Sequence, residues 1–289
     1  VLNYQHLYYF YRIAKLGSVT AAAKDLSLSQ PSLSIQLKQF ESYTGKQLFV
    51  REKQRLLLSP SGTELLKYAN VIFRAGDEVQ NFLKLKGAEY KEELRLGAMD
   101  SIPKSQIFLL SDYALSQHNL HIFLDEGNSL SLCDDLVSNN LDIVYLDYPV
   151  IRHKNEELIS KKIGEASLSV YGANEHKGLI KGFPQSLNSM PFVLASRRSQ
   201  LRKEIDGFFT EHSIKPNIIL ETQDTSIQKL FALEGRALIV EPEVAVQRFL
   251  DTKDLFKIGD TNSAQSFFLT KKATNTSQVV AQITENFLL

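Results

Sequence analysis

"SVTAAAKDLSLSQPSLSIQLKQFE", residues 18–41, decides the fold. Ala21, Ala22 and Ala23 run together, Ser27-Leu28-Ser29 breaks the run, and Pro31 follows almost at once. Ser18 is placed to accept the first free N–H groups of a helix over Val19–Leu26. Ser29 repeats that role for a second helix, and Pro31 sits in its first turn, where a missing N–H costs little. Leu33, Leu37 and Phe40 then recur at i, i+4 and i+7, one helical face. The opposite face carries Pro31, Ser32, Ser34, Ile35, Lys38 and Gln39, short, polar and without acid. The alanines keep the first helix thin, so the second can cross it closely. Two helices so placed, with one face left free, have the geometry of a helix-turn-helix. An ordinary αα-hairpin would share the caps and the turn, so the flanks must decide.

They do so through charge. Residues 1–58 hold eight Lys or Arg against three acids; residues 59–90 are balanced, and the remainder carries 21 basic and 26 acidic residues. The formal net charge of zero therefore hides a basic first segment on an acidic body. Phosphate attraction belongs to that first segment. In "GKQLFVREKQRLLLSPSG", residues 45–62, two apolar runs flank "REKQR", which reads as a β-hairpin with a basic tip, the wing of a winged helix. The expected reading residues are Gln30, Pro31, Ser32, Ser34 and Ile35, the last suited to a thymine methyl; Lys38, Arg51, Lys53 and Arg55 are expected on phosphates.

Residues 60–88 predict one long helix from Pro60 to Gly87. Leu65, Ala69, Ile72, Gly76, Val79 and Leu83 alternate spacings of four and three, a coiled-coil-like seam, expected between two chains; a helix lying on its own domain is the alternative. From about residue 91, short apolar strands ("LRLGAM", "HIFLDE", "DIVYLD", "SLSVYGA", "FVLAS", "NIILET", "ALIVEP", "SFFLT") alternate with helical stretches at 104–118, 130–139, 200–212, 225–233 and 243–250. Alternation predicts α/β layers with mostly parallel sheets. In such layers ligands sit beyond the carboxyl ends of strands. That rule selects Asp100, Ser101, Asn128, Ser129, Asp147, Ser196, Arg197, Arg198, Thr222 and Asp224; serine and aspartate there can equally be helix caps.

The 289 residues suffice for a small head and a two-lobed body. Cys133 is the single cysteine, which excludes an intrachain disulfide and suits a reducing cytoplasm. No apolar run of roughly 18 residues predicts a membrane span, and no signal peptide is read at the start. Phosphate-loop, dinucleotide-fold, nucleophile-elbow and metalloprotease motifs are absent, which weighs against an enzyme. His118 and His121 straddle a turn without cysteine partners, so no metal and no cofactor are expected. A solute-binding protein with a helical prefix is the alternative class; the basic first segment speaks against it.

Over its first sixty residues the chain resembles LysR-type transcriptional regulators: the aromatic first helix, "GSVTAAAKDL", "SQPSLSIQLKQFE", "GKQLF" followed by Arg51, and "SPSG" opening a long helix. In many members an arginine follows the serine of the second helix; here Ile35 stands there. The body, through "GAMDSIPKSQI", "LDEGNSLSLCDDLVSNNLDIVYLDYPV" and "PNIILETQDTSIQKLFALEGRALIVEPEVAV", resembles the subgroup that includes the sodium/proton-antiporter activator. The resemblance implies a winged helix-turn-helix over 1–59, a dimerising linker helix over 60–88, and an effector domain over 89–289 with two lobes of periplasmic-binding-protein type. Lobe I would take 91–161 and 267–289, and lobe II 162–266. It also implies effector contacts at Ser101 and Ser129. The function expected is a cytoplasmic activator that binds an interrupted DNA dyad as a dimer or tetramer, with RNA polymerase contact. Its effector would be a small anion held by Arg198 and the serines, or sodium held by Asp100, Asp147 and Asp224.

Overall fold

The computed structural model describes residues 2–52, 55–84, 91–197 and 199–289. It divides into two compact units, Val1–Glu92 with Val137–Asn140, and Glu93–Leu136 with Leu141–Leu289.

In the first unit, α1 (Tyr4–Leu16) opens on Asn3, whose side chain accepts the N–H groups of Gln5 and His6, and stops at Gly17, with φ 65°. α2 (Val19–Asp25) opens on Ser18 and α3 (Gln30–Thr44) on Ser29. Each hydroxyl satisfies an N–H that the helix itself leaves unpaired. Ala22 and Ala23 are buried with Leu7, Phe10, Ile13, Leu33, Leu37 and Phe40 in one cluster, so the small side chains do bring the helices together. Burial of each phenylalanine contributes roughly 1.5–3 kcal/mol. β1 (Phe49–Glu52) and β2 (Arg55–Leu58) pair antiparallel as the wing. Glu41 Oε1 accepts from the N–H groups of Leu48 (2.7 Å) and Phe49 (3.2 Å), which ties α3 to the base of the wing.

The "SPSG" stretch has a steric explanation. Ser59 is buried; its Oγ donates to the Gln47 carbonyl at 2.6 Å and accepts from the Gly62 N–H at 2.9 Å. A Cβ on Gly62 would lie 2.0 Å from the Leu48 carbonyl oxygen, a contact no side chain tolerates. The start of α4 (Pro60–Lys84) is thus locked against the wing.

On α4 the first half of the expected seam also packs on the head. Ala69 is fully buried in the head's own cluster, and Leu65, Ile72 and Phe73 pack against it. Phe73 meets the Tyr8 and Tyr11 rings of α1 at 5.1 and 4.9 Å. Ala69 therefore serves the head, and Leu65 and Ile72, half-buried, turn part of their surface to it. Val79 and Leu83 are exposed, and Tyr68, Val71 and Ala75 are exposed as well. At 100° per residue, Tyr68, Val71, Ala75, Val79 and Leu83 lie within one face of the helix.

The second unit holds β3 (Glu92–Met99), α5 (Lys104–Gln117), β4 (Leu120–Gly127), α6 (Ser129–Val137), β5 (Ile143–Leu146), β6 (Arg152–His153) and β7 (Glu156–Gly172). Then come two short 3-10 helices, β8 (Pro191–Leu194), α7 (Gln200–Glu211), β9 (Asn217–Glu221), α8 (Thr225–Leu233), β10 (Ile239–Pro242), α9 (Glu243–Asp251), β11 (Phe256–Lys272) and α10 (Gln278–Asn286). One sheet has the order β10-β7-β11-β5-β3-β4, with β6 beside β7. β8 and β9 pair in parallel, and one bridge, Phe192 to Leu238, sets β8 near β10.

Two expectations change here. "SLSVYGA" and "SFFLT" are parts of 17-residue strands, β7 and β11, that run antiparallel through the whole unit. The chain passes from one lobe to the other along β7 and returns along β11, so these pairings, and those of β10 and β5 with them, are antiparallel. Parallel pairing survives between β3 and β5 and between β8 and β9. The β7–β11 register shifts between Asp260 and Ala264, and Asn262 takes φ 57°, so an extra stretch is accommodated there as a bulge.

Candidate DNA interface and effector cleft

On α3, Gln30, Pro31, Ser32, Ile35 and Lys38 are exposed and Ser34 is half-buried. Ile35 is 55% exposed, a high value for a β-branched apolar side chain beside a buried Leu33 and Leu37. The polar members already bond one another: Gln30 Nε2 donates to Ser34 Oγ at 2.8 Å, and the Ser29 and Ser32 hydroxyls lie 2.7 Å apart. Such contacts preset the side chains and can be exchanged for base edges. The helix packs through its other face, so this one is presented by a fixed scaffold.

A groove of about 480 Å³ runs between the start of α2 and the wing, lined among others by Ser18, Thr20, Gln30, Arg51 and Arg55. Two arginines and several small donors here suit a phosphate backbone. Ser18 and Thr20 escaped the sequence reading, although the capping role of Ser18 already put it at that edge. Arg12 belongs elsewhere: its Nη2 and Nε reach Asp25 Oδ2 at 2.7 and 2.9 Å. Lys53 lies outside the described residues.

In the second unit a cavity of about 330 Å³ opens between the two lobes, lined by Asp147 and Tyr148 after β5, by Gln200, Leu201 and Glu204 of α7, and by Gln265 and Phe268 of β11, among others. Asp147 and Gln265 are each only 4% exposed. Ser101, also buried, donates from Oγ to Asp147 Oδ2 at 2.9 Å, and its carbonyl accepts from Gln265 Nε2 at 3.5 Å. Burial pushes the Asp147 carboxyl above the usual carboxylate range, against hydrogen bonds from Ser101, its own backbone N–H and Gln265 that hold it down. Tyr148 donates its hydroxyl proton to Ser129 Oγ.

The strand-end residues thus fall into groups. Ser101 and Asp147 meet directly, and Ser129 reaches the cavity wall through Tyr148. Asn128 Oδ1 accepts the Ser131 N–H at 3.0 Å at the start of α6. Asp224 caps α8, accepting from Ser226 and Ile227. Asp100 donates its N–H to the Gly127 carbonyl at 3.1 Å. Arg197 is exposed and pairs with Glu221 at 3.2 Å; Arg198 lies outside the described residues. Asp100, Asp147 and Asp224 do not gather: among the described residues, no group of three or more His, Cys, Asp or Glu could hold a metal ion. Strand ends led to Asp147 and Ser101, but Gln200, Glu204 and Gln265 carried no such signal. Gln265 lies inside a strand whose length the apolar pattern did not reveal.

A winged helix-turn-helix with a preset polar reading face, carried on the same chain as a two-lobed α/β body with a ligand-sized cleft, defines a DNA-binding regulator with its own sensor domain. Residues 4–63 match the bacterial regulatory helix-turn-helix proteins of the LysR family, and residues 87–272 match the LysR substrate binding domain. The chain belongs to the LysR family of transcriptional regulators. Among curated relatives it is 27% identical, over 89% of this chain and 85% of the relative, to the transcriptional activator protein NhaR of Escherichia coli. It is 24% identical, over 85% and 80%, to the nitrogen assimilation regulatory protein nac of the same organism. Full-length CbnR complexed with its target DNA shares the fold at TM-score 0.65 and 18% identity, covering 99% of both chains. ArgP from Mycobacterium tuberculosis does so at TM-score 0.69 and 16% identity, covering 98% of this chain and 95% of that one. These relatives are regulators, not enzymes. Among the described residues, no helix is long and apolar enough to cross a membrane.

Proposed function

We propose that this regulator activates transcription in response to a small effector bound between its lobes. Two heads, joined by a pair of α4 helices, bind an interrupted dyad, and two such dimers form the tetramer. α3 enters the major groove with Gln30, Ser34 and Ile35 toward base edges, while Arg51, Arg55 and Lys38 hold phosphates. Support for activation comes from NhaR, a named activator with which the alignment runs along most of the chain. The observation that carries the reading is the conjunction, on one face of the head, of an exposed polar α3 and the Arg51–Arg55 groove.

The effector acts only if it binds one arrangement of the lobes better than the other. The β7–β11 register shift between Phe267 and Phe268 lies where the strands cross from one lobe to the other, and we take it as the pivot. The activated state then contacts RNA polymerase. Footprinting of the full chain on promoter DNA tests this. Two protected half-sites with a gap between them are expected, with affinity falling steeply as salt rises. A single protected site of one head's width would overturn the dyad.

A further inference from the structure

The interlobe cavity has an imbalance of hydrogen-bonding groups. Asp147 Oδ1 and Gln265 Oε1 are both buried, both belong to residues of its wall, and neither has a hydrogen-bond partner. The Ser101 hydroxyl bonds the other oxygen of Asp147, Oδ2. The Gln265 amide opposes the upward shift of Asp147, but its Nε2 is directed to the Ser101 carbonyl at 3.5 Å. Two of the wall's donors point elsewhere: Gln200 Nε2 to Glu204 Oε1 at 3.0 Å, and the Tyr148 hydroxyl to Ser129 Oγ. Among the described lining residues two are carboxylates and none is Lys or Arg. Native proteins seldom leave buried acceptors without donors, and here two lie in one wall.

An anionic effector would set oxygen against oxygen, with no positive charge among the described lining residues to offset the repulsion. A bare cation fits poorly for a different reason. It needs several oxygens converging on one point, and about 330 Å³ with Leu201, Phe268 and Pro149 in the wall is far more room, and far more apolar surface, than an ion uses. The volume falls within the range of small-molecule sites.

We infer that the effector is a small organic cation, an alkylammonium or alkylguanidinium whose N–H groups bond Asp147 and Gln265 while its hydrocarbon part lies on Leu201 and Phe268. The inference rests on reading this cavity as the effector site. Such a ligand supplies donors to the two unpartnered oxygens and a charge opposite to the wall's two carboxylates. Glu204, on α7, is placed to take the second nitrogen of a diamine.

The experiment uses the full chain and named probes: butylamine, 1,4-diaminobutane and butylguanidine, against butyrate and succinate, with sodium and potassium chloride compared at fixed ionic strength. Binding is read by titration calorimetry and by the shift in unfolding temperature. At least one of the cations should bind. Asp147→Asn should weaken it by about tenfold or more, the usual scale for losing one charge-assisted hydrogen bond. Ala264→Trp, which fills the cavity from an exposed position, should abolish it, and Glu211→Gln at the far end of α7 should leave it unchanged. Cation binding lost in Ala264→Trp yet kept in Asp147→Asn would overturn the charge class and leave the cleft standing. So would succinate binding lost in Arg198→Ala, or a sodium-specific shift without amine. Binding that survives both Asp147→Asn and Ala264→Trp would remove the cleft itself as the effector site, and no binding by any of the three cations would overturn the inference.

Discussion

Ser101 Oγ stands 2.9 Å from Asp147 Oδ2, joining the ends of two neighbouring parallel strands, β3 and β5. The hydroxyl can donate to the carboxylate but is not required by the neutral acid, so it favours ionisation of a group that burial pushes the other way. Ser101→Ala should therefore cost about 1–2 kcal/mol when Asp147 is charged. A carboxyl raised in the folded state makes stability fall as pH climbs from the ordinary carboxylate range through the raised value. Removing Ser101 raises that value further, so the cost of Ser101→Ala should be larger at pH 8 than at pH 5. Unfolding curves of wild type and variant at both pH values measure it; a cost independent of pH would mean the hydroxyl does not favour the ionised form.

On the head, base reading and phosphate holding should separate. Ile35→Ala removes an exposed apolar contact and should change the ranking of operator variants by about fivefold, the scale of about 1 kcal/mol for lost methylene contact. Arg55→Ala should weaken all sites alike and reduce the salt slope by up to about one. Competition assays over a library of single-base variants distinguish the two. Equal losses at all sites for Ile35→Ala would take that residue off the reading face.

α4 gives two substitutions with opposite expectations. Ile72 is half-buried against the head's core, so Ile72→Asp should destabilise the head itself, by about 1–3 kcal/mol, through lost apolar packing and a partly desolvated charge. Val79 is 56% exposed, so Val79→Asp should leave the head folded and, if the proposed α4 pairing holds, dissociate the chains. Sedimentation and circular dichroism read both. A stable Val79→Asp dimer would assign assembly to the effector lobes.

How far the sequence reached can be seen in these same residues. The helix-turn-helix was legible because its determinants are local: Ser18 and Ser29 cap within three residues, and Gly17 and Gly45 end helices at φ 65°. The seam on α4 was half legible. Spacings of four and three identify an apolar face, but they are the same whether that face meets a second chain or the head, and Ala69 and Ile72 meet the head. The cleft was least legible. Asp147 marks a strand end, whereas Gln265 comes from a distant part of the chain, inside β11, and no local pattern couples the two. β7 and β11 were read too short because their burial changes along their length, blurring strict alternation.

Gly62→Ala tests the joint between wing and α4. Its new Cβ would meet the backbone oxygen of Leu48, which cannot swing away as a side chain would. The start of α4 must shift, and the Ser59 bonds to Gln47 and Gly62 shift with it. A loss of about 1–3 kcal/mol in head stability is expected, with weaker DNA binding. Protease sensitivity of the wing, compared between variant and wild type, gives the readout; identical cleavage rates would show that the contact relaxes freely.

Glu241, on β10, is 1% exposed, and neither of its carboxylate oxygens has a hydrogen-bond partner. Burial pushes its carboxyl from about 4.5 up to about 7, with the Lys229 charge pulling the other way. Between those values the folded chain holds a proton that the unfolded chain has released. Stability contributed by this group is therefore fully present below about pH 4.5 and is lost as pH rises through about 7, by about 3 kcal/mol in all. Glu241→Gln keeps the shape and removes the titration. Its amide needs an acceptor, which sets a constant offset, so the slope and not the absolute stability is the test. Relative to wild type the variant should gain stability steadily from pH 5 to pH 8 and then level off. Because other carboxylates titrate in both proteins, the quantity to plot is the difference between their unfolding free energies or temperatures at each pH. Parallel curves would mean that Glu241 stays ionised in the fold, held by Lys229 more strongly than burial opposes it.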